Sequence, residues 1–77
     1  MDTKSLSKLI RMHRKEAGIT QKQLAEMAGV GKTFIFDLEK GKTTISLDKL
    51  FKVFKVLNIS LFLKSALIND DKIKIDL

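Results

Sequence analysis

The sequence predicts an all-α fold of four to five short helices, followed by one short β-strand near the carboxyl end. Apolar residues recur at helical spacing in successive stretches, and no proline interrupts them. Gly18, Gly29 and Gly41 fall between these stretches, where a left-handed backbone can end a helix. A chain of 77 residues is expected to form one domain, with residues 1–58 as its helical part.

The first helix is expected from about Ser5 to Ala17, with Gly18 at its end. The side chains expected on its buried face are Leu6, Leu9, Ile10 and His13. His13 is interpreted as a packing residue or a phosphate contact and not as a catalyst, because the pattern implies no nucleophile or carboxylate beside it.

A second helix is expected to begin at Gln21, because Thr20 and Gln23 have the spacing of a capping box. Gly29 is expected to end it. The residues that fall at helical spacing on its apolar face are Leu24, Ala25 and Ala28. Small Ala25 lets another helix cross closely at that point.

A third helix is expected from about Lys32 to Lys40, and Gly41 is expected to terminate it. It offers Ile35, Leu38 and Phe34 to the core. Two short helices joined by a tight turn at a glycine form a helix-turn-helix unit, in which one helix supports another.

Three motifs describe these helices: Leu9-Ile10-Arg11-x-x-Arg14-Lys15-x-x-Gly18-Ile19-Thr20, Thr20-Gln21-x-x-Leu24-Ala25-x-x-Ala28-Gly29-Val30, and Ile35-x-x-Leu38-Glu39-x-Gly41-Lys42. In this pattern the chain resembles the Xre/Cro family of phage-repressor-like regulators over roughly residues 4 to 58. The resemblance implies a lambda-repressor-like fold and sequence-specific binding of double-stranded operator DNA by the third helix, in the major groove.

The resemblance assigns contacts with base edges to Lys32 and Thr33, at the start of that helix, and to Asp37 one turn further. Lys32 can donate to guanine O6 and N7, and Phe34 or Phe36 is available to thymine methyl groups. Phage proteins commonly have glutamine at the position of Lys32, and Asp37 cannot donate to a phosphate. The operator sequence therefore cannot be transferred from them.

Phosphate contacts are assigned to Gln21, at the amino end of the second helix, and to Lys42, after the third; such contacts position a protein without specifying sequence. Lys22 and Lys40 complete the predicted DNA-binding surface.

Within the family, an arginine of the first helix pairs with the glutamate that closes the third helix. The matching residues here are Arg14 and Glu39, so the resemblance implies a partly buried ion pair between these helices. The alternative is a surface arginine without a partner.

A fourth helix is expected to begin at Leu47 with Ser46 as its cap and to end at Asn58. Its apolar stripe is predicted to contain Leu47, Leu50, Phe51, Phe54 and Leu57. The other side carries Lys49, Lys52 and Lys55, which are interpreted as a solvated face and not as a second DNA patch.

Residues 59–68 are expected to form a strand, because this stretch is too apolar and too short for another surface helix. A single strand leaves its backbone groups unpaired unless residues 73–77 fold back onto it. Pairing with the same strand of a second subunit is the simpler solution, and it predicts a homodimer. The residues predicted to make this contact are Leu61, Phe62, Leu63, Ala66 and Leu67.

The runs GKTTISLDKLFKVFKVLNI and LNISLFLKSAL are similar to HipB-type antitoxins, in which the segment after the last helix forms a β-lid between subunits. That resemblance implies a HipA-like kinase toxin as partner, sometimes split into two chains, and repression of the shared operon. A stand-alone Xre-family regulator and an adaptor mainly for protein binding are the alternatives. Residues 69–77 could add an edge strand, bind a partner or stay mobile, and the latter two are preferred.

The net charge is +6, with nine basic and five acidic residues in 1–42 and six and four in 43–77. A basic excess beside this motif is typical of proteins that neutralise DNA phosphates. The chain has no cysteine and one histidine, so we expect no disulfide, thiolate nucleophile or zinc site. The sequence shows no paired carboxylates, Gly-rich phosphate loop or His-assisted serine, so we expect no enzyme and no cofactor. Neither a signal peptide nor a membrane-spanning run is expected, and the predicted location is the bacterial cytoplasm, with the nucleoid.

Overall fold

The computed structural model describes residues 2–67 and 73–77, which form four helices and a two-stranded ribbon. The elements are α1 (Thr3–Glu16), α2 (Gln21–Ala28), α3 (Lys32–Glu39), α4 (Leu47–Leu57), β1 (Leu61–Leu63) and β2 (Ile73–Ile75). The predicted fold class is confirmed, with four helices in the described part of the chain. No helix in these ranges is both long enough and apolar enough to cross a bilayer.

Helix α1 begins earlier than the sequence analysis predicted, because Asp2 caps it. The Asp2 carboxylate accepts a hydrogen bond of 2.7 Å from the Ser5 backbone N–H. This hydrogen bond lowers the pKa of Asp2. The helix therefore has an acidic cap at its amino end, where negative charge is favourable.

Helix α2 begins with the predicted capping box. Thr20 Oγ1 accepts from the Gln23 N–H at 3.0 Å, and Gln23 Oε1 accepts from the Thr20 N–H at 2.8 Å. Gly29 ends the helix in the left-handed conformation, with φ of 71°. The chain can then turn directly into α3, with Val30 packed against the core.

The core lies where α2 packs against α3 and α4. Helix α1 closes the core, because it also packs against α3 and α4. Ala25 is buried, as expected for a position where helices approach closely. The buried apolar side chains are Ile10, Leu24, Ala25, Ala28, Ile35, Leu38, Leu50, Val53, Phe54 and Leu57.

Helix α4 has the predicted caps, with Ser46 Oγ accepting from the Lys49 N–H and Asn58 in the left-handed conformation. Its apolar stripe differs from the prediction at two positions. Leu47 is 61% exposed, whereas Val53, which the prediction omitted, is completely buried. The buried positions 50, 53, 54 and 57 have helical spacing, with half-buried Phe51 beside them, and Leu47 lies in the first turn, beyond the edge of the core.

The ribbon pairs β1 with β2 in antiparallel register, with Leu61 opposite Ile75 and Leu63 opposite Ile73. The strand partner of β1 thus lies in the same chain, whereas the sequence analysis expected it in a second subunit. Leu61 and Leu77 pack against the core, which holds the ribbon to the helices. Ile68 of the predicted dimerising strand and residues 69–72 of the predicted tail lie outside the described residues.

Gly29→Ala is expected to lower the free energy of unfolding by about 1 kcal/mol, because alanine is strained in the left-handed conformation. A Cβ at Gly29 would meet no atom within 4 Å, so the cost comes from the backbone alone. Urea denaturation measures the change. Gly31→Ala is the matched control, because Gly31 also has open space and its φ of −75° suits alanine. Equal stabilities of the two variants would contradict the prediction.

Candidate nucleic-acid interface

The amino end of α3 lies at the domain surface. Ile35 and Leu38 face the core and fix the orientation of the helix. Lys32 and Thr33, both predicted to contact bases, are exposed in its first turn. Two residues of a well-anchored helix are therefore presented to solvent at the end that enters the major groove in helix-turn-helix proteins.

Arg14 and Glu39 join α1 to the carboxyl end of α3 through two hydrogen bonds. Arg14 Nε donates to Glu39 Oε2 at 2.7 Å, and Arg14 Nη2 donates to Glu39 Oε1 at 3.0 Å. The side chains are only 12% and 4% exposed. The hydrogen bonds to Glu39 raise the pKa of Arg14, so the guanidinium stays charged at any usable pH.

The same ion pair extends to both sides of the turn between α1 and α2. Arg14 Nη1 donates to the Ile19 carbonyl at 2.9 Å, and Gln21 Nε2 donates to Glu39 Oε1 at 3.4 Å. Gln21, predicted to contact phosphate, is thereby held at the amino end of α2. The ion pair thus connects α1 to α2 and α3, the two helices that carry most of the predicted DNA-binding residues.

Asp37 and Lys42, both predicted to contact DNA, contact each other. Lys42 Nζ lies 3.4 Å from Asp37 Oδ2, and the Lys42 backbone N–H donates to the Asp37 carbonyl at 3.1 Å. Without this pair, the carboxylate would place an uncompensated negative charge on the surface predicted to bind DNA. Its pairing with Lys42 reduces that repulsion and also restrains Lys42.

The two phenylalanines of α3 have different environments. Phe36 is 47% exposed, and Lys40 Nζ lies 4.9 Å from its ring centroid. Phe34 is half-buried against the core, and Lys49 Nζ of α4 lies 5.8 Å from its ring centroid. Phe36 is therefore the more accessible of the two side chains predicted to contact thymine methyl groups.

Grooves flank α3 where it meets the preceding helices. Lys22 of α2 and Lys32 of α3 line one of them. The residues that line the other are Arg11, Arg14, Gln21, Phe36, Glu39 and Lys40. The sequence analysis missed Arg11, although it precedes Arg14 by three residues and so shares its face of α1.

Most of the residues predicted to contact a second subunit lie on the outer part of the ribbon and beyond it. Phe62 and Leu63 are half exposed, and Ala66 and Leu67 are exposed. Leu61 instead packs partly against the core. The ribbon therefore has one end anchored to the helical domain and an apolar outer end in solvent.

The protein-family model for Helix-turn-helix matches residues 10–63 of this chain. Among the most similar relatives is an HTH-type transcriptional regulator of Sinorhizobium fredii, which is 45% identical over 53 residues. That alignment covers 69% of this chain and 70% of the relative.

Two solved structures extend the comparison. SinR, a master regulator for biofilm formation solved in complex with DNA, is 38% identical, with 71% of this chain and 89% of the solved SinR chain covered and a TM-score of 0.66. HipB in its O4 20mer complex is 26% identical, with 86% of this chain and 93% of the solved HipB chain covered and a TM-score of 0.76. The likeness to HipB thus extends over more of this chain than the likeness to SinR.

Proposed function

The chain belongs to the helix-turn-helix family of DNA-binding transcriptional regulators, and we propose that it is a sequence-specific repressor within that family. The prediction of an Xre-type regulator, and not an enzyme, is confirmed by the family match and by the names of the relatives. The observation that supports a repressor with sequence specificity is the exposure of Lys32 and Thr33 at the amino end of a well-anchored α3.

The proposed repressor inserts α3 into the major groove, with Lys32 and Thr33 toward base edges and Gln21 and Lys22 beside the backbone. It acts as a homodimer that contacts two half-sites about 34 Å apart, or a multiple of that distance. The exposed apolar side chains of Phe62, Leu63 and Ile73 support the proposal that a second copy of this chain packs on the ribbon.

We further propose that the protein is the antitoxin of a HipA-like kinase toxin and represses their shared operon. Two observations support this more specific function. The run from α4 through β1 resembles HipB-type antitoxins, and the fold likeness to HipB covers 86% of this chain. The toxin is expected to consist of one chain or of two. The antitoxin would bind this toxin in addition to binding DNA.

A stand-alone regulator is the second candidate, and the identity of 38% with SinR, which is described as a master regulator, favours it. The reading frames adjacent to the gene distinguish the two. A neighbouring frame with kinase motifs supports the antitoxin, whereas unrelated neighbours support the stand-alone regulator.

Footprinting of the full chain on its own promoter tests the repressor. We expect protection of two half-sites one helical turn apart, or a multiple of it, and loss of the footprint in a variant that combines Lys32→Ala with Thr33→Ala. Thermal unfolding of this variant checks that it remains folded. Absence of protection at low salt would contradict DNA binding and favour a protein adaptor.

Asp37→Asn is expected to strengthen binding to mixed-sequence DNA severalfold, because it removes a negative charge and releases Lys42. Titration of a mixed-sequence duplex at several salt concentrations measures the affinity. Asp48→Asn is the matched control, since it makes the same charge change in an exposed pair with Lys52, on α4. If both variants gained equally, the effect would be one of net charge alone.

A further inference from the structure

Both phenylalanines of α3 carry a lysine ammonium over the ring, and they do so on opposite flanks of the helix. Phe34 and Phe36 lie about 100° to either side of Ile35, which faces the core. Lys40 Nζ is 4.9 Å from the Phe36 centroid, and Lys49 Nζ is 5.8 Å from the Phe34 centroid. One positive charge is thus held on each side of the helix.

We propose that Lys40 on Phe36 and Lys49 on Phe34 form a lysine clamp that binds the phosphates on the two sides of the groove entered by α3. This inference rests on the proposed DNA binding and deepens it. In the clamp the phenylalanines are positioning residues, and neither contributes to base recognition. The clamp gives affinity for any duplex, and Lys32 and Thr33 supply the sequence preference.

Neither Lys40 nor Lys49 forms an ion pair within the part of the chain that the structure describes. The ion pairs there join Arg14 to Glu39, Lys42 to Asp37 and Lys52 to Asp48. Lys40 and Lys49 instead lie against rings, which attract a cation without neutralising it. Each ammonium group therefore keeps its charge for a phosphate oxygen.

The rings also explain why these lysines would bind better than ordinary surface lysines. A lysine has a flexible stem of four carbons and loses side-chain entropy when it is fixed on a partner. A lysine that already rests on a ring has lost part of that freedom before DNA arrives, so less is lost on binding. Phe34 is itself restrained by the core, which makes it a firm support for Lys49.

The test compares Lys40→Gln and Lys49→Gln with Lys52→Gln, each in the full chain. Lys52 is the control because it also lies on α4 and is exposed, but pairs with Asp48. Binding to a mixed-sequence duplex is measured across a salt series. The salt slope is the slope of the logarithm of the binding constant against the logarithm of the salt concentration. Each clamp variant is expected to reduce its magnitude by about 0.9, the value for the loss of one phosphate contact, and the control is expected to leave it unchanged.

Phe36→Leu distinguishes two possible roles of Phe36, which are to position Lys40 and to contact a thymine methyl group. It is expected to weaken binding about threefold at every salt concentration, with the slope unchanged. The factor is expected to be the same for the mixed-sequence duplex and for that duplex with uracil in place of thymine. Thermal unfolding of the variant checks its fold.

The outcomes are distinguishable. Slopes of the Lys40 and Lys49 variants equal to that of Lys52→Gln would overturn the clamp while leaving DNA binding intact. A loss in Phe36→Leu confined to the thymine duplex would overturn the positioning role and assign Phe36 to a methyl contact. Absence of salt-dependent binding by the unaltered chain would overturn the proposed function, and the clamp with it.

Discussion

Arg14→Met is expected to lower the free energy of unfolding by about 3 kcal/mol, because it leaves the carboxylate of Glu39 buried without its partner. The Glu39 side chain is only 4% exposed, so water cannot replace the lost hydrogen bonds. A domain of 77 residues has a total stability of about 4 to 12 kcal/mol, so this loss is a large part of it. Urea denaturation of the two proteins measures the difference.

A variant that removes both charges distinguishes the cost of an unpaired buried ion from the cost of lost packing. Arg14→Met combined with Glu39→Leu is expected to recover most of the stability, because no unpaired ion remains. The free energy of unfolding of Arg14→Lys is expected to lie between those of the original protein and Arg14→Met, since lysine keeps the charge but not the paired donors. A loss of less than about 1 kcal/mol in Arg14→Met would mean that the pair behaves like an exposed one.

The pH dependence of this contribution follows from the direction of the pKa shift. The folded state raises the pKa of Arg14 through its hydrogen bonds with Glu39. The contribution is therefore fully present below the pKa of an unfolded arginine, and it is lost only as the pH rises through the folded value. We expect the difference between the original and Arg14→Met to stay constant from neutral to mildly alkaline pH.

The helix boundaries that depend on local chemistry could be predicted from the sequence. Thr20 with Gln23, Ser46 and Asn58 lie where the structure places the ends of α2 and α4. The side chains of Thr20, Gln23 and Ser46 bond to backbone groups three residues away, and Asn58 ends α4 through its own left-handed backbone, so neighbours in sequence are sufficient to specify these caps. Asp2 caps α1 by the same chemistry, and the sequence analysis missed it by starting the helix at Ser5.

Features that depend on packing between distant elements were less accessible. Val53 has the helical spacing of the buried stripe and could have been predicted, whereas the exposure of Leu47 depends on how far α4 extends past the other helices, which spacing along α4 does not reveal. The return of residues 73–75 to pair with β1 depends on how the intervening segment folds. Alternating apolar residues made this pairing possible but could not exclude a partner in another chain.

The same distinction applies to the candidate site. Arg14 and Glu39 are 25 residues apart, and only the resemblance to a known family connected them. Lys49 was assigned to a solvated face because its own helix shows only that it points away from the apolar stripe. Its position over Phe34 follows from the way α3 and α4 both pack on α2, which no motif in either helix encodes.

Lys32→Ala is expected to weaken discrimination at one base pair of the operator by about 1 to 3 kcal/mol, the usual contribution of a good contact with a base edge. The residue is exposed in the first turn of α3, where a side chain can reach the groove floor. Selection from a randomised duplex library gives the preferred site. Affinities for single-base variants of that site then measure the discrimination.

Lys22→Ala is the matched control, because Lys22 lines the same groove as Lys32 but lies on α2. It is expected to weaken binding to all sequences by the same factor. Lys32 also lies at the amino end of α3, where the helix dipole disfavours positive charge by about 0.3 to 1 kcal/mol. Its removal should therefore leave stability unchanged or slightly higher while discrimination falls, and an equal loss on preferred and random duplexes would assign Lys32 to a phosphate instead.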